Sequence, residues 1–183
     1  DEKGGTVEQN SIFVTEVSAE STIAGIKTYG VQDISEIAKE APENGYTLLI
    51  IPATSEVHVK YAEDAAGFDQ MFLKPVLGWI SGVHLNDLGK VSPKVFCGND
   101  ASAYSDKAVA MHVTIPVEKS ASIGIVNLFK QGEGDTITCP KGGFEVTSCI
   151  VNGEERDFAA YVRQKGIDTK LPLVADYSGT NIN

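Results

Sequence analysis

The feature that most constrains the fold of this chain is a fully apolar run at residues 48–51, "LLII", which stops at the small polar residues of "PATSEVH". A run without polar alternation is typical of a strand that is covered on both faces. Thr54 or Ser55 can cap a helix that begins near Glu56. The stretch therefore predicts a buried strand that passes through a short loop into a helix. Backbone N–H groups at such a junction suit an anionic or polar ligand, although capping alone also explains these residues.

Apolar runs alternate with helical periodicity along the rest of the chain. This order predicts an α+β (mixed α/β) fold, a sandwich of mixed, largely antiparallel sheet covered by a few helices. The main predicted strands are residues 46–52, 76–84, 107–115, 121–129, 144–151 and 171–176, with further strands at 11–17 and 22–30. The predicted helices are residues 33–41, capped by Asp33, 55–63, and 156–165, which begins near Asp157 and ends at Gly166.

Two turns follow from local sequence. Residues 107–116 and 121–131 are joined by a short polar link and predict an antiparallel hairpin. Asn152 and Gly153 form a dipeptide that is typical of a tight hairpin turn.

Composition limits the domain organisation and the partners. Residues 1–10 predict a polar tail, and residues 11–183 predict a single globular domain, large enough for one core built as one body or two small lobes. The missing initiator Met indicates a fragment or a processed form. The net charge of −10 argues against a nucleic-acid partner, since no basic stripe could neutralise phosphates. No apolar run approaches the roughly 18 residues that cross a bilayer.

The cysteines bear on the compartment. There are three, Cys97, Cys139 and Cys149, and no two form a CxxC pair. An odd number without a framework favours a reducing compartment, so we predict a cytoplasmic protein without disulfides.

Each of the histidines has a structural and a functional interpretation. His58 lies one turn into the predicted helix, His84 ends "GWISGVH", and His112 lies in a strand beside the small residues Ala108 and Ala110. For any one of them, a structural role is the more frequent outcome. No HExxH motif or helical ligand pair occurs, so no metal site is predicted.

An enzyme is the competing class. Cys97 precedes a sharp-turn sequence, and His112 follows fifteen residues later, which together could supply the thiolate and base of a Cys97-dependent hydrolase or transferase. No protease-type signature surrounds Cys97, and no GxSxG motif occurs. A structural or interaction module without a ligand is the third possibility.

Several segments resemble an uncharacterised bacterial protein family that is distantly similar to FIST domains, which are intracellular sensory modules. The segments are "GYTLLIIPATSEVHVKYAED", "MFLKPVLGWISGVHLNDLGKVSPKVF", "KAVAMHV", "IGIVNLFKQGEGDTIT" and "IDTKLPLVADYSGTNIN". The resemblance implies a small-ligand sensor with a signalling protein as partner, and it supplies no catalytic residues. Some FIST-like proteins bind haem through histidine, but no CxxCH motif is present and the cofactor stays unassigned.

The preferred interpretation is a small-molecule-binding sensory or regulatory module rather than an enzyme. Asp176 ends a second buried strand that opens into short polar residues, and open sheets bind ligands beyond the carboxyl ends of parallel strands. Trp79 offers a broad apolar wall with one donor. Thr54 and Ser55 would be hydrogen-bond donors, and His58 would form a wall. The predicted ligand site comprises Thr54, Ser55, His58, Trp79, His84 and Asp176.

Overall fold

The computed structural model describes residues 14–98, 102–126, 133–169, 175–177 and 180–182, the last two ranges by their backbone alone. The chain divides between Ile123 and Gly124 into two compact units. Mixed sheets and helices confirm the predicted α+β class. The predicted polar tail lies outside the described residues, and the single-domain assignment stays a prediction.

The first unit contains a four-stranded mixed sheet with helices packed against it. The strands of this unit are β1 (Thr22–Tyr29), β2 (Gly45–Pro52), β3 (Val76–Ser81), β4 (Val95–Cys97), β5 (Ser102–Tyr104) and β6 (Ala108–Thr114). Its helices are α1 (Ile37–Glu40), α2 (Glu56–Asp64) and the 3-10 turns Ile34–Glu36, Ala65–Gly67 and Leu85–Asp87. The sheet order is β1-β6-β2-β3, in which β6 is antiparallel to both neighbours and β2 and β3 are parallel. Strands β4 and β5 form a separate antiparallel pair.

The apolar run of β2 builds the core of this unit. Side chains alternate between the faces of a strand, and Leu49 and Ile51 pack with Ile34, Ile37 and Val57 from the helices in one buried cluster. The other face of the strand is half-buried. The sequence therefore predicted the strand correctly, but only one of its faces is fully covered.

The half-buried face of the sheet carries an apolar row. Ile26, Met111, Leu48 and Leu77 are register partners from one edge strand to the other. Trp79 lies on this same face, as the partner of Ile50 in β2. The face that bears Trp79 is thus opposite to the face covered by α1 and α2.

The second unit is a small antiparallel sheet with one helix. It contains β7 (Ile137–Thr138), β8 (Ser148–Val151), β9 (Glu154–Asp157), α3 (Phe158–Lys165), β10 (Ala175–Tyr177) and β11 (Thr180–Ile182). The sheet order is β7-β8-β9, and β10 pairs with β11 in a sheet of its own. Cys149, Val151 and Tyr161 form its buried cluster.

Three local predictions are confirmed in this unit. Asn152 and Gly153 have φ angles of 50° and 90°, as the tight turn between β8 and β9 requires. The Asp157 carboxylate accepts a hydrogen bond from the Ala160 N–H at 2.6 Å and so caps α3. Gly166 ends the helix with a left-handed φ of 62°.

The predicted hairpin after β6 is wrong. Both edges of β6 are paired, with β1 on one side and β2 on the other, so no edge is left for the following segment. Residues 121–126 form no strand, and Val126 is 83% exposed. Residues 127–131 lie outside the described part of the chain.

Other predicted boundaries shift. Strand β3 ends at Ser81 rather than at residue 84, and β8 covers only the second half of the predicted 144–151 strand. Residues 14–17 form no strand, while 11–13 and 171–174 are not among the described residues. The predicted helix 33–41 is a 3-10 turn followed by α1, and the Asp33 carboxylate accepts from the Gly30 N–H at 2.5 Å instead of capping the helix.

Candidate functional site

Local hydrogen bonds stabilise the junction between β2 and α2. The Ser55 hydroxyl accepts from the His58 backbone N–H at 3.2 Å and donates to the Pro52 carbonyl at 2.7 Å. The Thr54 hydroxyl donates to the Ala53 carbonyl at 2.7 Å. The Thr54 N–H donates to His58 Nδ1 at 3.1 Å. Ser55 is therefore a true N-cap, and His58 fixes the turn as well as bordering it.

The expectation that Thr54 and Ser55 act as donors differs from the structure. Both hydroxyls donate their protons to backbone carbonyls at the end of β2, those of Ala53 and Pro52. A hydroxyl oxygen retains acceptor capacity after it has donated. Either side chain would thus meet a ligand as an acceptor.

Thr54 has a strained backbone. Its φ of 60° lies in the left-handed region, where a β-branched residue is an outlier. Such a conformation costs about 1–3 kcal/mol and persists only where the surroundings over-determine it, frequently at ligand sites. The bond from the Thr54 N–H to His58 supplies part of that constraint.

The carboxyl ends of β2 and β3 meet at this junction. The Ala53 N–H donates to the Ser81 carbonyl at 2.9 Å, and Ser81 is the register partner of Pro52. The Ser81 Oγ is buried and has no hydrogen-bond partner among the described residues. Native structures leave few such groups unpaired, so this hydroxyl calls for an explanation.

Sequence reasoning missed Ser81, although its position carried a signal. It lies in "WISGVH", where the apolar strand β3 opens into small residues just as β2 does. Parallel neighbours place such ends together, and only the pairing of β2 with β3 shows which two ends they are.

The structure brings together half of the predicted site. Thr54, Ser55 and His58 lie at one turn. His84 follows the end of β3, is exposed, and its Nδ1 accepts from the Asn86 N–H at 3.2 Å. Trp79 is 56% exposed on the opposite face of the sheet from α2, so it does not share a wall with His58.

The expectation that Asp176 ends a strand in the same sheet is wrong. Its strand, β10, pairs only with β11 among the described residues, and that pairing is antiparallel. It belongs to the second unit. Asp176 stays a predicted ligand-site residue, but the argument from a shared sheet no longer supports it.

An open depression borders the junction. It has a volume of about 300 Å³ and is lined by Thr54, Glu56, Val59, Lys60, Glu63 and Asp64. Lys60 and Asp64 form an ion pair of 2.6 Å across one helical turn. The depression adds an accessible surface beside the strained residue.

His112 is a buried polar residue of the first unit that makes a hydrogen bond through each ring nitrogen. The ring is 2% exposed, with Nε2 at 2.8 Å from the Tyr29 hydroxyl and Nδ1 at 2.8 Å from the Thr47 hydroxyl. The Tyr29 hydroxyl also donates to Glu40 Oε2 at 2.5 Å, and Lys27 pairs with that carboxylate at 2.8 Å. The chain of contacts joins the surface to the core.

Proton counting fixes the state of this network. Lys27 and the Tyr29 hydroxyl hold the pKa of Glu40 below its usual range, so Glu40 is ionised and takes the only Tyr29 proton. Tyr29 must then accept from His112, which places the imidazole proton on Nε2. Thr47 donates to Nδ1. Burial lowers the pKa of His112, which keeps the ring neutral.

This bonding favours the structural interpretation of His112. Both ring nitrogens are used inside the core, and the small side chains of Ala108 and Ala110 are fully buried on the same face of β6. Cys97 is half-buried on β4. To act as a base for the Cys97 thiol, His112 would have to give up its hydrogen bond to Thr47. This requirement weighs against a Cys97-dependent enzyme.

The lowered pKa of His112 predicts a pH dependence of stability. In the unfolded chain, His112 has a pKa of about 6.5 and binds a proton below that pH, whereas the folded chain keeps the ring neutral to lower pH. The free energy of unfolding therefore falls as the pH drops below about 6.5. We expect urea denaturation at pH 7.5 and 5.5 to show this loss in the natural chain and a smaller loss in His112→Gln. An equal loss in both proteins would refute the assignment.

Three further observations concern the cysteines, metal sites and membrane spans. All three cysteines are free thiols. Within the described part of the chain, no group of three His, Cys, Asp or Glu residues is placed to hold a metal ion. No helix in those same ranges is both long enough and apolar enough to cross a membrane.

The fold and the site thus define an α+β protein with a strained strand-to-helix junction. The chain belongs to a family of unknown function, DUF6976, whose profile matches residues 1–183. No curated protein matches it, and no solved structure does. The resemblance to FIST domains therefore stays a prediction.

Proposed function

We propose that this protein is a small-molecule-binding sensory or regulatory module whose ligand binds at the carboxyl edge of β2 and β3. The observation that carries the proposal is the buried Ser81 hydroxyl at that edge, which has no hydrogen-bond partner among the described residues. By the alternation of β3, Ser81 belongs to the same face of the sheet as Trp79. A polar ligand group that entered beside Pro52 and Ser81 would supply the missing hydrogen bond. Binding there uses the general preference of open sheets for ligands beyond parallel strand ends.

The strain at Thr54 supports the same edge. A glycine at this position would adopt a φ of 60° without cost, yet the chain carries a β-branched residue with a hydroxyl. The hydroxyl retains acceptor capacity beside the 300 Å³ depression. A retained strained residue is consistent with a binding role for its side chain.

We also propose a biological setting. We place the module in the cytoplasm because its cysteines form no framework, and we expect a signalling protein to receive the ligand signal, as the FIST resemblance implies. A Cys97-dependent enzyme is the second candidate. The occupied ring nitrogens of His112 make it the weaker one.

Ser81→Ala tests the proposal, because it separates binding from stability. Removing an unsatisfied hydroxyl should leave the free energy of unfolding unchanged or raise it by about 0–1 kcal/mol. The same change should weaken binding of ligands at the edge by about tenfold. Ligand-observed NMR with a library of small polar fragments would identify the binders, and urea denaturation would give the stability.

Thr54→Ala serves as the second variant, and Ser35→Ala serves as the control at a serine distant in sequence from the edge. Fragments that bind the natural chain and the control, but not Ser81→Ala or Thr54→Ala, support the proposal. If no fragment distinguishes these variants from the natural chain, the edge is not the ligand site. A destabilised Ser81→Ala would mean that the hydroxyl already has a structural partner.

A further inference from the structure

The second unit contains a polar cleft that the proposed function does not use. Its volume is about 370 Å³, and it is lined by Asp135, Val151, Asn152, Glu154, Arg156, Tyr161, Gln164 and Lys165. These residues come from the segment before β7, the β8–β9 hairpin and helix α3. The volume falls at the lower end of the range for small-molecule sites.

A hydrogen-bonded network around Asp135 lines part of the cleft. Its Oδ1 accepts from Asn152 Nδ2 at 2.7 Å, and its Oδ2 accepts from the Tyr161 hydroxyl at 2.9 Å and pairs with Lys165 at 2.8 Å. The side-chain Oδ1 of Asn152 accepts in turn from the Thr136 N–H at 2.9 Å. These contacts hold the pKa of Asp135 at about 2, with Lys165 the largest cause. This carboxylate is therefore ionised and already satisfied.

The cations retain donors. The contact with Asp135 uses one N–H of Lys165, and the 2.6 Å pair with Glu154 uses one N–H of Arg156. An ammonium and a guanidinium each carry several more. Both side chains are about half exposed at the rim of the cleft, and Gln164 adds an amide there. The cleft thus offers cationic N–H donors, beside the acceptor oxygens of Glu154 and Gln164.

The two cations also act on one another. Arg156 and Lys165 line the same cleft, so their positive charges repel one another. An anion between them would relieve that repulsion and accept from both. Planar or tetrahedral oxyanions match the fork of Arg156, which can bind two oxygens at once.

We propose that this cleft binds a small oxyanion, a carboxylate or a phosphate, between Arg156 and Lys165. The shared chemistry is a pair of oxygens that accept from the guanidinium and the ammonium. Asp135 orders Lys165 through their ion pair, and Glu154 competes with the anion for Arg156. This site is independent of the β2–β3 edge.

The test is a backbone-amide NMR titration of the full chain at constant ionic strength, with sodium phosphate in one arm and sodium succinate in the other. We expect saturable shifts of α3 and β9 amides at millimolar concentration in at least one arm. Arg156→Gln and Lys165→Gln should each weaken binding by about tenfold. Glu154→Gln should tighten it, because the anion then has Arg156 to itself.

Arg163→Gln is the matched control, since Arg163 lies in the last turn of α3 but does not line the cleft. Saturation by phosphate alone identifies a phosphate site, and by succinate alone a carboxylate site. The proposal is overturned if neither anion saturates, if Arg163→Gln weakens binding as much as Arg156→Gln, or if Glu154→Gln weakens it. Ser81→Ala should leave these titrations unchanged, so failure here and failure of the proposed function are distinguishable.

Discussion

Gly78→Ala is expected to lower the free energy of unfolding by about 3 kcal/mol or more, the upper range for overpacked sites. A Cβ at this position of β3 would lie 1.7 Å from the Leu49 carbonyl oxygen and 2.9 Å from the Leu49 nitrogen. Both are backbone atoms of the neighbouring strand β2, so no side chain can move aside. The parallel pair must separate to admit the methyl group.

Gly25→Ala provides the control for this prediction, because Gly25 also lies in a strand but its Cβ would meet no atom within 4 Å. It should change stability by no more than about 0.5 kcal/mol. Urea denaturation of the two variants beside the natural chain makes the comparison. A loss below about 1 kcal/mol for Gly78→Ala would contradict the close approach of β2 and β3.

His112→Ala is expected to cost about 4 kcal/mol, from a cavity in the core and from the lost partners of two hydroxyls. Thr47 would lose the acceptor for its proton, and Tyr29 would lose one of its two contacts. Tyr29→Phe should cost less, about 1–2 kcal/mol, because it removes a hydroxyl and leaves the ring packed.

His84→Ala is the matched control for His112→Ala. This exposed histidine makes a local contact with the Asn86 N–H, so its loss should fall within about 0.5 kcal/mol. Thermal or urea unfolding measured above pH 7 keeps protonation of His112 out of the comparison. Similar costs for the two histidine variants would show that the buried network does not stabilise the fold.

Local signals in the sequence located most elements of the first unit and one tight turn of the second. The run at residues 48–51, the Ser55 cap and the Asn152-Gly153 turn are local signals, and local signals depend on a few neighbouring residues. The predicted hairpin after β6 failed because strand pairing depends on residues far apart in the chain. Strand β6 pairs with β1 and β2, which precede it by more than fifty residues.

The candidate site shows the same division. Sequence identified Thr54, Ser55 and His58, which a single turn brings together. It also grouped them with Trp79 and Asp176, because it could not show that Trp79 alternates onto the other face or that β10 pairs outside the main sheet.

What the sequence by itself determined is therefore the α+β class, the buried strand of the first core and the capped junction that follows it. Only the tertiary structure decided that Ser81 meets that junction without a hydrogen-bond partner in the described part of the chain, that His112 is bonded at both nitrogens, and that Arg156 and Lys165 share one cleft. The physical reason is range. Propensity, capping and turn chemistry act over a few residues, whereas the pairing of strands and the sharing of protons depend on which distant segments are packed together.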